Sequence, residues 1–118
     1  MSLTEEDRNY ILREFLRNIS HISDKEYQTR IWIRGEGPEC DDFGEAVCRY
    51  SSSADYIFEE YQSYGISDIQ LYVLKKFHEE FKKFWVDNDL PQLFIDTPEW
   101  TKIILMAKKV LEVFNYQN

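Results

Sequence analysis

The run SDIQLYVLKKFHEEFKKFW, Ser67 to Trp85, decides the fold class. Ser67 followed three residues later by Gln70 is a capping box, in which each side chain satisfies a backbone N–H that a helix start leaves open. Ile69, Val73, Leu74, Phe77, Phe81, Phe84 and Trp85 then recur at steps of three and four, the spacing of one helix face. The segment is predicted as a long amphipathic helix that needs a partner for its aromatic side.

Working outward, the same signals repeat. Thr4 before Glu5, Glu6 and Asp7 places a capping hydroxyl ahead of acids that favour the positive end of a helix, and Ile11, Leu12, Phe15, Leu16 and Ile19 follow in phase. This predicts a helix from about residue 5 to 19. Ser23 with Glu26 forms a further capping box, and Gly35 after Arg30 and Arg34 reads as a stop, giving a second helix across 24–34. Within it, Ile31-Trp32-Ile33 would also suit a short strand. Gly35-Glu36-Gly37-Pro38-Glu39-Cys40 is the main loop, since two glycines and a proline break regular structure.

Asp42 with Glu45 opens a helix through Phe43, Val47 and Tyr50, which Ser51-Ser52-Ser53 is expected to interrupt or end. Asp55 to Tyr64 reads as a separate short acidic helix closed by Gly65. After Trp85, Leu90 to Ile95 suggests one helical turn. Thr97-Pro98 then caps a last amphipathic helix carrying Trp100, Ile103, Ile104, Ala107, Val110, Leu111 and Phe114. With no internal repeat or linker-like tract, the expected architecture is a single all-α domain, an irregular antiparallel bundle of five or six helices.

Composition supports a packed core. The 118 residues are 43% hydrophobic and 16% aromatic, unlike a chain that stays disordered. No run reaches the roughly 18 apolar residues of a membrane span, and the polar, acidic Met1–Asn9 is not expected to act as a secretory signal. Cys40 and Cys48 lack the spacing of a redox pair or a disulfide framework, so reduced thiols and a cytoplasmic location are expected.

The charge is unevenly placed. Of a formal net charge of -8, all resides in residues 35–74, where nine acids (Glu36, Glu39, Asp41, Asp42, Glu45, Asp55, Glu59, Glu60, Asp68) face the single base Arg49. Such a field repels nucleic-acid phosphates and anionic lipid, so neither nucleic acid nor membrane is an expected partner. It speeds encounter with a basic protein surface.

Reaction chemistry finds little support. Asp41, Asp42 and Glu45 lack the EF-hand alternation, His21 and His78 are far apart, and the His78-Glu79-Glu80 triplet is not a zinc motif, so no metal or cofactor is expected. Gly35-x-Gly37 sits among acids and a proline, where a phosphate cradle needs N–H donors.

The leading expectation is a non-catalytic binding module. Glu36, Glu39, Asp41, Asp42, Glu45, Glu59 and Glu60 would steer it, and Tyr56 and Tyr61 would anchor it, on a basic protein partner. An immunity or antitoxin-like inhibitor of a basic effector has this physical profile. The competing expectation is a small enzyme or ligand-binding bundle with a pocket of carboxylates and Cys48. Burial of surplus aromatics between copies, in a homo-oligomer, is compatible with the first.

Overall fold

The computed structural model of the chain describes residues 3–36, 42–86 and 94–116. Among these residues there are five α-helices and no strands: α1 (Glu5–Ile22), α2 (Lys25–Tyr27), α3 (Phe43–Glu59), α4 (Asp68–Val86) and α5 (Pro98–Val113). A π-helical stretch, Gln28–Ile33, continues α2, and a 3-10 turn, Phe94–Asp96, precedes α5. The all-α expectation holds.

Most starts are capped where the sequence places them. The Asp7 N–H donates to Thr4 Oγ1 at 3.0 Å and the Thr4 N–H donates to Asp7 Oδ2 at 3.1 Å, a complete capping box. Ser67 and Gln70 exchange the same pair of bonds at the head of α4, at 2.9 and 3.2 Å. Thr97 Oγ1 accepts from the Trp100 N–H, with Pro98 in the first turn of α5. At Gly65, a φ of +74° lets the Ile66 N–H reach back to the Tyr61 carbonyl and close the chain after α3.

Four expectations are corrected. α1 runs on to Ile22, because Ile19 and Ile22 both continue its buried face. Ser23 is not the next N-cap. Its hydroxyl donates to the Ser20 carbonyl at 2.7 Å and closes α1, while Asp24 caps α2 by accepting from the Tyr27 N–H at 3.0 Å. The predicted helix across 24–34 changes pitch after Tyr27, and the wider π turns direct Gln28 and Ile31 inward; the strand alternative for Ile31-Trp32-Ile33 is not adopted.

The fourth concerns α3, which does not stop at the serines. Ser51 and Ser52 donate to the Cys48 and Arg49 carbonyls at 3.3 and 3.0 Å, so their hydroxyls are satisfied along the helix instead of competing with it. Tyr50, Ala54 and Ile57 stay in phase and fully or almost fully buried. The separate helix expected over 55–64 is the second half of α3 followed by turns. Glu39 and Asp41, and Leu90 to Leu93, lie outside the described residues.

Side-chain pairs give the topology. Phe15 stacks on Tyr50 and Asn18 accepts from Arg49, so α1 and α3 run antiparallel. Tyr50 meets Trp85 while Phe58 meets His78, which sets α3 antiparallel to α4. Gln70 at the start of α4 donates to the Val113 carbonyl at the end of α5, and Gln28 beyond α1 binds Trp100 at the start of α5. Four helices thus form a ring of antiparallel neighbours, α1, α3, α4 and α5, around one core. The side between α3 and α4 is filled by rings, with Tyr50 against Phe77 and Phe81 at centroid distances of 5.8 and 5.1 Å.

Candidate functional site

At about 100° per residue, Glu45, Ser52, Asp55, Tyr56 and Glu59 of α3 fall on one stripe. All five are exposed, and Cys48 and Glu60 flank them. The opposite face carries Ala46, Tyr50, Ala54 and Ile57 and is buried, which fixes the stripe outward. From Glu45 to Glu59 it extends about 21 Å at about 1.5 Å per residue.

The acids differ in what they are committed to. Asp42 Oδ1 accepts from the Glu45 N–H at 2.8 Å, so Asp42 is a helix cap. Glu45 pairs with Arg49 at 3.7 Å, and Glu36 pairs with Arg34 at 3.9 Å. Among the described residues, Asp55, Glu59 and Glu60 form no salt bridge. They surround Tyr56, whose exposure of 61% leaves its ring in solvent. The second half of α3 therefore presents an aromatic ring among uncompensated carboxylates.

The other aromatics interleaved with these acids turn inward. Phe43 packs against Phe94 and Trp100, Tyr50 is fully buried, and Tyr64 is buried. Phe58 lies against His78. Tyr61, expected as a surface anchor, is half-buried and packed on the core. Asp68 stays exposed at the first turn of α4. Tyr56 alone of these aromatics is exposed.

A second feature was not legible from spacing. A pocket of about 200 Å³ opens between α3 and α4, lined by Ser51, Ala54, Asp55, His78, Lys82 and Trp85. Below it, Tyr50 Oη lies 2.8 Å from His78 Nδ1. Burial raises the Tyr50 pKa above its ordinary value. Burial also lowers that of His78, helped by the Lys82 charge and opposed by Asp55 and Glu79. Phenol and imidazole are both neutral near pH 7. We assign the phenol, the stronger acid of the two, as donor to Nδ1, which leaves the imidazole proton on Nε2.

This grouping of serine, histidine and aspartate does not make a nucleophilic triad. The Ser51 hydroxyl is bonded to the Cys48 carbonyl, and Nδ1, the atom a triad carboxylate would orient, is held by Tyr50. Cys48 sits on the outer side of α3 and lines neither this pocket nor the apolar one between α4 and α5. Among the described residues no three His, Cys, Asp or Glu side chains converge on a point that could hold a metal. No helix among them is long and apolar enough to cross a membrane.

No protein-family model, curated protein or solved structure matches the chain.

Proposed function

We propose that this protein is a non-catalytic binding module that uses the outward stripe of α3 to dock on a basic protein surface. The observation that carries the reading is the exposed Tyr56 among Asp55, Glu59 and Glu60, three carboxylates without a cationic partner among the described residues. A tyrosine supplies large contact area at small entropic cost, and acids around it steer the approach of a basic surface. The same charges disfavour phosphate backbones and anionic membranes. An immunity-like inhibitor that neutralises a basic effector fits this profile, and the exposed thiol of Cys48 suits a reducing compartment such as the cytoplasm.

The test is capture from source cells at low and high salt, comparing the native chain with Glu45→Gln/Asp55→Asn/Glu59→Gln/Glu60→Gln. Asp42 is left intact because it caps α3. The reading expects a stoichiometric basic protein that high salt releases and the neutralised variant fails to hold, with circular dichroism unchanged. Equal capture by both chains would overturn it.

A further inference from the structure

A second surface lies between α4 and α5. There, Tyr72, Val73 and Met106 form an apolar groove of about 180 Å³ bordered by Lys76 and Lys109. Tyr72, which lines the groove, is 64% exposed, and the same two helices leave Ile69 and Leu105 73% and 61% exposed. A cavity of roughly 150 Å³ holds a benzene ring, so an aromatic side chain matches the size of this groove. Lys76 lies with its Nζ 5.5 Å from the Tyr72 ring centroid, which places a cation at the edge of the apolar floor. A groove between two helices that is greasy inside and cationic at its rim is built for a helix carrying an aromatic anchor flanked by carboxylates.

Such a helix is present in the same molecule. The α3 stripe offers Tyr56 between Asp55 and Glu59, opposite in charge to Lys76 and to Lys109, which also pairs with Glu112 of its own helix at 3.6 Å on the exposed surface. Accepting the reading of α3 as a docking ridge, we infer that the cationic surface it meets is local, the groove of a second copy of this acidic chain, with Tyr56 of one copy seated in the Lys76–Lys109 groove of the next. Ridge and groove occupy different helices, so each contact uses one of each and leaves one of each open. The association is head-to-tail and continues until it closes into a ring or remains an open chain. Each copy carries a formal net charge of -8, so added salt screens the long-range repulsion between copies as well as the attraction at the rim, and the apolar seat of Tyr56 carries the contact at high salt.

Sedimentation equilibrium tests this on the full chain, from micromolar to millimolar concentration at low and high salt. Two variants with surface changes only are compared: ridge variant Asp55→Asn/Tyr56→Ser/Glu59→Gln and groove variant Lys76→Glu/Lys109→Glu. Each is checked for native helicity first. The native chain is expected to rise in average mass above 14.3 kDa with concentration. Each variant alone should associate at least about tenfold more weakly. An equimolar mixture of the two variants retains one intact groove and one intact ridge, so it should form a dimer and stop there.

A native chain that stays monomeric overturns the self-docking inference. The ridge reading then still stands if the α3-neutralised chain loses a salt-sensitive basic protein in the capture experiment. Self-association that the groove variant abolishes but the ridge variant leaves intact puts another segment in the groove and overturns the inference, while the ridge reading is decided by the capture experiment. Association that survives the groove variant assigns contact to another face and overturns the inference.

Discussion

Gln28 shows how much of this fold one polar side chain can hold. It is fully buried, its Nε2 donates to the His21 and Ile22 carbonyls at 2.9 and 2.8 Å, and its Oε1 accepts from Trp100 Nε1 at 2.8 Å. One amide thus closes the C-terminus of α1 and fixes the ring at the centre of the core. Gln28→Leu keeps the volume but strands an indole N–H and the Ile22 carbonyl, while the His21 carbonyl keeps the Asp24 N–H, so it should cost about 3 kcal/mol in urea unfolding. Tyr64 is the converse. Its hydroxyl is buried with no hydrogen-bond partner among the described residues, so Tyr64→Phe should leave the thermal midpoint unchanged or raise it. His78 ties stability to pH. Burial makes the folded imidazole a weaker base than the unfolded one, so as pH falls below the ordinary value of 6.5 the unfolded chain takes up the proton first. Native stability should therefore decline with acidity just below pH 6.5. His78→Gln, which can still accept from Tyr50, should flatten that part of the slope in urea midpoints taken between about pH 6.5 and 5.5.

Elements were legible where chemistry is local. The capping hydroxyls of Thr4, Ser67 and Thr97 act within three residues of themselves, and the structure uses each as the sequence implies. Misreadings came where distant packing decides. Ser51 to Ser53 have low helix propensity, yet the burial of Tyr50, Ala54 and Ile57 carries α3 straight through them. Ser52 is exposed and contributes only a bond to its own helix, so Ser52→Ala should stabilise the protein by about 0.5 kcal/mol in thermal unfolding. A destabilised variant would mean that the serine contributes more than helix continuity. The π turns after Tyr27 had no signal, because they answer to Trp100, seventy-two residues away. Tyr56 and Tyr61 look alike in sequence. Only their angle around α3 and its following turn separates a solvated ring from a packed one. The pairing of Tyr50 with His78 joins positions twenty-eight apart and no local pattern announces it.

At the scale of the molecule, the sequence shows that residues 35–74 carry the negative charge, and the ring of antiparallel helices decides where that charge points. Part of it is spent on capping and on nearby arginines, at Asp42, Glu45 and Glu36. Among the described residues, Asp55, Glu59 and Glu60 gather at the far end of α3 and Asp68 begins α4, while the groove of α4 and α5 carries lysines beside uncovered apolar side chains. The groove escaped the sequence because its lining joins Tyr72, Val73 and Lys76 of α4 to Met106 and Lys109 of α5, positions that no local pattern brings together. Site-specific photo-crosslinking in source cells tests the central claim most directly. A photoreactive phenylalanine replaces either Tyr56 on α3 or Tyr10 on α1, residues of similar exposure at 61% and 65%. The α3 ridge predicts one dominant adduct from position 56, to a basic protein or to Tyr72–Lys76 of a second copy, and none from position 10. No adduct from position 56, or the same adducts from both, would contradict it.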